Sequence, residues 1–497
     1  MGTHRSDLRG IARRAMVERD FYPDFSPAAL GELARISVPA DGTGDPQVRN
    51  LIHWQWVSID NDDSRDLDQL TVAEVAPDGL ASIRVAIADV DALVAKDSSL
   101  DAHALHNTTS VYTSGGVFPM LPDKLSTDLT SLNERQDRLA IVVDMRVAED
   151  GEVLDSRIYR AMVRNHAKLA YGSVGAWLEG TGPVPDAVKA VEGLDAQLRL
   201  QDRVARRLKA RRHQEGALSL ETLEPKAVFD GERLSTVLVE RKNRAKDLIE
   251  DFMIAANQAS VSFLKAEGLP SFRRVLRSPE RWQRIAEVAA RWNEALPAEP
   301  DARALEAFLV KRREADPLRF PDLSLAIVKL IGRGEYVLDR WQDGSSEHFG
   351  LAVRDYTHST APNRRFPDLI TQRLIKAALA NASLPYRPDE LQFLADHCTR
   401  KEDDAEKVER QLRKSAAALL LESQIGRRFD AIVTGASNKG TWVRLLDPPV
   451  EGKLISHAGG LDVGDILPVE LLHTDVEHGF IDFAPVGPAH NSNRSSH

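Results

Sequence analysis

The sequence has a single cysteine, Cys398, among its 497 residues. One cysteine cannot form a disulfide within the chain or build a cysteine-rich zinc site, so we expect a thiol in a reducing compartment. The chain also lacks an apolar run long enough to cross a bilayer, and its polar, basic start does not resemble a signal peptide. The sequence therefore predicts a cytoplasmic protein with no membrane partner.

Positive charge is not in excess either. The chain carries 65 Lys and Arg against 75 Asp and Glu, a formal net charge of −10. A protein that coats nucleic acid without specificity usually has a basic surface, so this charge argues against that class. A basic channel inside an acidic shell is still allowed. The segment RVARRLKARRH, residues 203–213, predicts either the wall of such a channel or a solvated helix face.

The length exceeds one ordinary core and predicts about three or four domains. Strand-like runs begin at Trp54, helical patterns dominate from about residue 185, and short strand-like runs return near the C-terminus. We therefore predict an α+β multidomain chain with a helix-turn-helix-like module in 1–54, a large α+β domain in 55–390, a connecting helix in 391–425, an OB-fold β-barrel in 426–486 and a disordered tail in 487–497.

Two of these parts carry finer predictions. In the N-terminal module, Ser26 is expected to cap a helix that has Pro27 in its first turn. In the C-terminal part, five strand-like runs in about sixty residues match a small OB barrel. Such barrels bind single strands by stacking bases on aromatic rings, which makes Trp442 an RNA-binding candidate. A purely structural barrel is the alternative.

The stretch VSIDNDDSRDLDQLT, residues 57–71, gathers aspartates at positions 60, 62, 63, 66 and 68. Their mutual repulsion is unfavourable unless a cation lies among them. A calcium-binding EF-hand loop is excluded, because no register places a glycine sixth and a glutamate twelfth. A solvated turn and a magnesium site that keeps open positions for a substrate phosphate both fit the pattern.

A second segment, TAPNRRFPDLI, predicts a helix that begins near Pro367. Arg364 and Arg365 would then lie at its N-terminal approach. Arginines beside a helix N-terminus form a phosphate clamp, because bidentate donors add to the positive end of the helix dipole. An acidic metal loop together with such a clamp indicates phosphodiester chemistry, and Arg365 becomes an RNA-binding candidate beside Arg364.

At this point the sequence resembles the ribonuclease II and R family. The family's catalytic block is matched by SIDNDDSRDLDQL and its arginine signature by TAPNRRFPDL, with VAIADV, FPMLPDKLSTDLTSL and LIEDFMIAAN between them. The resemblance covers roughly residues 55–385, and the C-terminal barrel resembles the family's S1-type OB fold. It implies an RNB-type catalytic domain that hydrolyses single-stranded RNA from the 3′ end and releases nucleoside 5′-monophosphates, with magnesium, or manganese, as cofactor. The protein is expected to act as a monomer.

The resemblance also implies roles for individual residues. Asp60, Asp66 and Asp68 fall on the family's metal- and phosphate-handling aspartates, so Asp66 and Asp68 are catalytic candidates. Arg364 falls on the arginine that positions the scissile phosphate. Tyr112 and Glu250 fall on residues that contact the terminal nucleotides of the RNA.

Some positions depart from the family pattern. Gln69 stands where the family has a fourth aspartate, which keeps an oxygen ligand for the metal but removes a charge. Asn363 replaces a usual isoleucine, and Phe229 is the candidate for a base-stacking phenylalanine without an obvious counterpart. About fifty residues precede the catalytic part, too few for the family's paired cold-shock barrels. The alternative function is a catalytically weak RNA-binding or regulatory protein on the same fold, disabled by Gln69.

Overall fold

The computed structural model describes residues 5–221, 225–239, 242–317, 319–339, 347–437, 440–455, 461 and 464–486, so the predicted tail in 487–497 lies outside the described residues. The helices are α1 (Arg5–Glu18), α2 (Pro27–Arg35), α3 (Ser99–Asn107), α4 (Tyr171–Leu178), α5 (Asp186–Lys189), α6 (Leu194–Glu215), α7 (Arg244–Ala266), α8 (Trp282–Ala290), α9 (Ala302–Ala315), α10 (Phe320–Ile331), α11 (Phe366–Leu379) and α12 (Pro388–Leu421). A π-helical turn spans Lys124–Leu129, and 3₁₀ turns span Val90–Ala92 and Glu422–Gln424.

The strands are β1 (Val48–Asn50), β2 (Trp56–Asp60), β3 (Gln69–Val75), β4 (Ala81–Ala88), β5 (Val111–Thr113), β6 (Gly116–Phe118), β7 (Asp137–Val147), β8 (Val153–Ala170), β9 (Pro225–Asp230), β10 (Arg233–Val239), β11 (Ser271–Val275), β12 (Glu335–Asp339), β13 (Glu347–His348), β14 (Val353–Arg354), β15 (Arg428–Ser437), β16 (Gly440–Leu445), β17 (Glu451–Leu454), β18 (Ile466–Asp475) and β19 (Phe480–Pro485). The strand-like pattern predicted from Trp54 onward is confirmed by β2, β4 and β7, which lie in the stretches WQWVSI, ASIRVAIADV and LAIVVDMRVA.

The central sheet has the order β1-β8-β2-β3-β4-β7, and β8 also pairs with β7. Its long strand β8 runs parallel to β2 and antiparallel to β7. Strand β4 is buried along nearly all its length, because Val, Ile and Ala face apolar neighbours on both sides of the sheet. The aspartate loop joins the end of β2 to the start of β3, which places its carboxylates at one edge of this sheet.

Helices α6 and α7 pack against this sheet, and α11 packs against α7. Helix α11 begins at Phe366 with Pro367 in its first turn, as predicted. An apolar stripe of this helix is fully buried: Leu369, Ile370, Leu374 and Ile375 are at most 2% exposed. Burial of four large aliphatic side chains stabilises the helix by roughly 1.5–3 kcal/mol each. The stripe therefore fixes the position of the arginines that precede the helix.

The C-terminal part is a closed barrel with strand order β15-β16-β17-β19-β18, which confirms the predicted OB-type barrel. Helix α12 leads into it and contributes Ala418 and Leu421 to the apolar core of the barrel. Arg444 of β16 donates two hydrogen bonds, of 2.9 and 3.2 Å, to Asp322 of α10. The barrel is thus attached both through α12 and through this ion pair.

The two N-terminal helices form as predicted, and Ser26 Oγ accepts the backbone N–H of Ala29 at 3.2 Å. They pack against different parts of the chain: α1 against α12, and α2 against α3. Leu8 and Met16 of α1 are fully buried in a cluster with residues of α12 and of the β5–β6 hairpin. No helix within the described ranges combines the length and apolarity needed to cross a bilayer.

Candidate active site

Asp68 and Arg364 meet although 296 positions separate them in the chain. Arg364 Nε donates to Asp68 Oδ2 at 3.1 Å, and the backbone N–H of Asn363 donates to Asp68 Oδ1 at 3.1 Å. Asp68 is 1% exposed, whereas 41% of the Arg364 side chain is exposed. The carboxylate is therefore an internal anchor for a guanidinium that faces outward.

Burial dominates the electrostatics of this pair. It raises the pKa of the Asp68 carboxyl to about 7, although the Arg364 guanidinium opposes the shift and Asp66 adds to it. Burial lowers the pKa of Arg364, but the charges of Asp68, Asp368 and Asp66 and the Tyr112 hydroxyl together outweigh it, and the net shift is upward. Arg364 thus stays cationic. Its two Nη groups have no hydrogen-bond partner among the residues that the structure describes, so both can bind a phosphate oxygen.

Asp60, Asp66 and Tyr112 join the same site. Tyr112 Oη donates to Asp66 Oδ2 at 3.3 Å. Asp60, at the end of β2, accepts the N–H of Asn61 at 2.7 Å and the hydroxyl of Ser64 at 2.9 Å. Burial raises the pKa of Asp60, and the charge of Asp66 raises it further. The three predicted carboxylates and the predicted tyrosine therefore share one electrostatic environment with Arg364.

The other two aspartates of the loop, Asp62 and Asp63, are exposed. This agrees with the prediction that they are solvated loop residues. Gln69 is the first residue of β3, half-buried, and pairs through its backbone with Ile87. Its position next to Asp68 is compatible with a role as a metal ligand, which stays a prediction.

Arg365 lies differently from Arg364. Its Nη2 donates to Asp368 Oδ1 at 2.7 Å, and its side chain is 23% exposed. Asp368 is fully buried in the first turn of α11 and also accepts the N–H of Ala361 at 2.8 Å. Arg365 therefore holds the turn before α11 together, and its Nε is buried without a described partner. Arg364 differs in that its unmatched Nη groups belong to a more exposed side chain.

Two neighbouring hydroxyls hold the halves of the site in place, and sequence reasoning missed them. Ser131 Oγ accepts the N–H of Leu67 at 3.0 Å and donates to the carbonyl of Arg65 at 2.8 Å, within the aspartate loop. Thr130 Oγ1 lies 2.5 Å from the side-chain Oδ1 of Asn363, beside Arg364. The motif TDLTSL carries both hydroxyls, but nothing in its pattern distinguishes them from ordinary turn residues.

The Thr130 contact indicates how the Asn363 amide is oriented. Thr130 Oγ1 also lies 2.9 Å from the carbonyl of Leu125, and one hydroxyl proton cannot serve two acceptors. In the orientation that places Oδ1 against Thr130, the Nδ2 of Asn363 is buried and has no partner among the described residues. Turning the amide lets Nδ2 donate to Thr130 while Thr130 donates to Leu125, which removes the conflict at the hydroxyl and moves Oδ1 to the position that lacks a described partner. The amide thereby ties the arginine loop to the π-helical turn.

Three predicted RNA-binding residues lie elsewhere. Glu250, in α7, accepts a hydrogen bond from Lys242 Nζ at 2.8 Å and is exposed. Phe229, in β9, is half-buried and lies 5.2 Å below the guanidinium of Arg5. Trp442 is in β16 of the barrel. The structure places none of the three in direct contact with Asp68 or Arg364 among its described contacts, so their roles in RNA binding stay predictions.

A cavity of about 1490 Å³ is lined by residues of the barrel, of α10 and of α12, beside the places where these elements touch. Trp442 lines it, with Lys453 Nζ 6.0 Å from the centre of the indole ring. Lysines and arginines outnumber acidic residues among the lining residues, and Arg281, Arg410 and Arg413 have no acidic partner within 4 Å in the described part of the chain. Asp66, Asp68 and Arg364 do not line this cavity, so it is a separate basic surface rather than part of the carboxylate site.

The basic segment 203–213 does not provide such a surface. Arg206 pairs with Asp202 at 2.9 Å, Lys209 with Asp247 at 2.8 Å, and Arg211 with Asp150 at 2.7 Å. Arg212 pairs with the buried Asp251. Since these acids neutralise most of its charge, the channel-wall interpretation of this helix is not supported, and the basic cavity is found in front of Trp442 instead.

Comparison with known proteins identifies the family to which this chain belongs. Residues 48–381 match the model of the RNB domain, and residues 427–486 match the model of the RNase II-type exonuclease C-terminal S1 domain. Because the first match covers more than half of the 497 residues, the chain belongs to the RNB family.

Among its relatives, ribonuclease R of Escherichia coli K12 is 30% identical over 426 residues, which cover 82% of this chain and 50% of that protein. Ribonuclease R of Vibrio parahaemolyticus is 29% identical over 467 residues, which cover 86% of this chain and 54% of that protein. The chain thus spans about half the length of these curated relatives.

Solved structures share the fold. Mycoplasma genitalium RNase R in complex with ribose-methylated single-stranded RNA superposes with a TM-score of 0.86 at 21% identity, over 97% of this chain and 78% of that chain. Yeast Ssd1, described as a pseudonuclease, superposes with a TM-score of 0.68 at 17% identity, over 87% of this chain and 53% of that chain. At these identities the likeness establishes the fold alone, and the fold hosts active and inactive members.

Membership of the RNB family implies a divalent metal ion. No three His, Cys, Asp or Glu side chains in the described part of the chain lie close enough together to hold a metal by themselves. Magnesium, however, commonly takes one or two protein carboxylates and completes its shell with water and substrate phosphate. The oxygen-only donors Asp60, Asp66 and Gln69 fit such an open site, and they do not form a closed cage.

Proposed function

We propose that this chain is an exoribonuclease that hydrolyses single-stranded RNA from the 3′ end and releases nucleoside 5′-monophosphates. The observation that carries the proposal is the Asp68–Arg364 pair, which presents two unmatched Nη donors next to the carboxylates of Asp60 and Asp66. That combination suits a phosphodiester, whose charge the arginine neutralises while the carboxylates bind a cation. We further propose a cytoplasmic monomer, with magnesium as the cofactor and manganese as a substitute.

In this proposal each residue has a distinct task. Asp68 fixes the guanidinium of Arg364 through Nε, so that both Nη groups point at the scissile phosphate and bind charge that develops in the transition state. Asp60, Asp66, Asp68 and Gln69 would supply oxygen ligands to the metal, which when bound would make a water more acidic and would stabilise the departing 3′ oxygen. Tyr112, held by Asp66, would lie against the last nucleotides.

The route of the RNA follows from charge. The basic cavity in front of Trp442 would bind the 5′ portion of the substrate, with bases stacked on the indole and phosphates near Arg410 and Arg413. An aromatic ring with neighbouring cations binds single strands without sequence preference, as a degradative enzyme requires. Removal of Trp442 should therefore lower affinity for long RNA more than for a short oligonucleotide that reaches only the carboxylate site.

A labelled RNA tests the proposal. A 5′-labelled single-stranded RNA, incubated with the protein and resolved to single nucleotides, should shorten as a ladder from its 3′ end with magnesium present. A chelator should abolish the ladder, and the released product should be nucleoside 5′-monophosphate. Cleavage of a circular RNA, which has no 3′ end, or undiminished activity in the chelator would contradict the proposal.

The second candidate function is a weak or inactive RNA-binding protein, and Gln69 is the observation that favours it. A neutral amide attracts a cation less than a carboxylate does. Full RNA binding with no ladder at any magnesium concentration would establish this alternative.

A further inference from the structure

Helix α1 packs against the hairpin that carries Tyr112. Val111 and Phe118, one on each strand of the β5–β6 hairpin, share an apolar cluster with Leu8 and Ile11 of α1. Both hairpin residues are at most 3% exposed. The guanidinium of Arg9 lies 5.3 Å from the centre of the Phe118 ring, where a cation–π attraction adds to the contact.

The two backbones also touch at the tip of the hairpin. A Cβ atom built on Gly115 would lie 2.6 Å from the backbone nitrogen of Arg9 and 2.7 Å from the carbonyl carbon of Leu8. Those separations are too short for any side chain, and backbone atoms of a helix cannot move aside as the end of a flexible side chain can. Gly115 is therefore the residue that allows α1 to lie directly on the hairpin.

Helix α12 also contacts the hairpin, through strand β5. The backbone N–H of Tyr112 donates to Glu409 Oε1 of α12 at 2.9 Å, while its hydroxyl donates to Asp66. The hairpin thus contacts both α1 and α12, which also pack against each other, and the side chain of Tyr112 reaches from the hairpin to the carboxylate site. Helix α1 makes no described hydrogen bond to Asp66, Asp68 or Arg364 itself.

We propose that α1 is a positioning element of the nuclease site, which acts by holding the β5–β6 hairpin so that Tyr112 engages Asp66 and the 3′ end of the substrate. The inference rests on the proposed function for its catalytic consequence, but not for its mechanical one. In this inference the N-terminal module supports the nuclease site and does not bind nucleic acid by itself.

The mechanical part is tested by hydrogen exchange on the full chain. Gly115→Ala adds a methyl group against α1, and Arg9→Ala removes the exposed cation over Phe118. Both should speed amide exchange in residues 111–118 severalfold, with Gly115→Ala having the larger effect. Gly10→Ala is the matched control, because a Cβ there meets only Arg14 Nη1 at an ordinary 3.6 Å, and Gly31→Ala in α2 meets nothing within 4 Å.

The catalytic part is tested by a double-mutant cycle with Tyr112→Phe. Gly115→Ala should lower kcat about tenfold or more with little change in the KM for RNA, since a misplacement of about 1 Å costs up to about a hundredfold. If α1 acts through Tyr112, the Gly115→Ala, Tyr112→Phe double variant should be no slower than the slower single variant. Multiplying effects would show that α1 acts independently of Tyr112 and overturn the inference.

The two proposals fail in different ways. Unchanged exchange in residues 111–118 of Gly115→Ala and Arg9→Ala overturns the positioning role whatever the activity. A wild-type protein that produces no chelator-sensitive ladder, but whose hairpin still loosens in these variants, overturns the proposed function and leaves the mechanical role of α1 intact.

Discussion

The aspartate loop, residues 60–68, and the basic segment, residues 203–213, are two places where the sequence concentrates charge of one sign. In the loop, Asp68 meets Arg364 and leaves two Nη groups without partners among the described residues. In the basic segment, Arg211 alone has three carboxylates within 4 Å, those of Asp150, Glu152 and Glu215. One cluster ends with unmatched donors and the other with most of its charges paired.

The difference teaches that charge density in a sequence does not locate a binding surface. What matters is whether folding supplies the opposite charge from within the chain. Ion pairs at a surface contribute little to stability and also consume the donors that a phosphate would need. Variants at the two clusters should therefore affect different properties: turnover for the loop, and at most a small change in stability for the helix.

The largest effect is expected for Asp68→Asn. Removing the carboxylate frees the Arg364 guanidinium from its anchor and removes a charge from the metal site, so turnover should fall by about 10²–10⁴-fold with RNA affinity nearly unchanged. Single-turnover rates and a binding isotherm on the same RNA measure both quantities. Asp62→Asn, at an exposed aspartate of the same loop, is the control and should retain the wild-type rate; an equal loss there would break the comparison.

Arg364→Lys is expected to be the next largest. Lysine keeps the charge but cannot bond Asp68 and present two further donors in one plane, so the rate should fall about a hundredfold. The control is Arg65→Lys at an exposed position of the aspartate loop. A lysine variant with near-normal turnover would show that charge alone matters, and the Nη geometry would lose its significance.

The residues of these two predictions were visible in the sequence. The aspartate cluster and the RR before Pro367 indicated phosphodiester chemistry, and the resemblance to the ribonuclease II and R family singled out Asp60, Asp66, Asp68 and Arg364. Strand and helix patterns predicted the elements that hold these residues. The supporting contacts were not predictable, because Ser131 and Glu409 act through backbone groups distant in sequence. The pairing of the basic segment was equally hidden, since Asp150 and Asp247 reach it only after folding.

Thr130→Val should have an intermediate effect. It keeps the shape of the side chain but leaves the buried Asn363 amide without its partner, while the Leu125 carbonyl keeps only the backbone N–H of Thr130. The cost should be about 1–3 kcal/mol in unfolding free energy. A looser arginine loop should also lower kcat by about tenfold. Thr130→Ser keeps the hydroxyl and should therefore retain the wild-type unfolding free energy and kcat. Thr127→Val removes a hydroxyl from the same turn, where Thr127 bonds only the Asp123 carbonyl, and should leave kcat unchanged.

Gln69→Asp should have a smaller effect, seen in the metal titration. An added carboxylate strengthens the attraction for a cation, so the magnesium concentration for half-maximal rate should fall severalfold with little change in RNA affinity. A midpoint that does not fall, with activity or stability lost at every magnesium concentration, would mean that Gln69 supports the loop through its amide donor instead.

The smallest effect is expected in the basic segment. Replacing Arg206, Arg207 and Arg211 by Gln should leave both the dissociation constant for RNA and its salt dependence unchanged, because Arg206 and Arg211 are already paired with acids. Unfolding free energy should change by about 1 kcal/mol at most per pair. A flatter salt dependence in this triple variant would show that the helix contacts the RNA. The double variant Arg410→Gln, Arg413→Gln instead changes two arginines that line the cavity. It should flatten the salt dependence of the dissociation constant for RNA.

The most direct test of the Asp68–Arg364 site is a crystal structure of the wild-type protein with a single-stranded RNA bound, in the presence of a chelator that prevents hydrolysis. The account predicts the 3′-terminal phosphodiester within hydrogen-bond distance of the Arg364 Nη atoms, the last nucleotides against Tyr112, and upstream bases near Trp442. An RNA whose 3′ end lies away from Arg364, with phosphates instead on the basic segment 203–213, would contradict it.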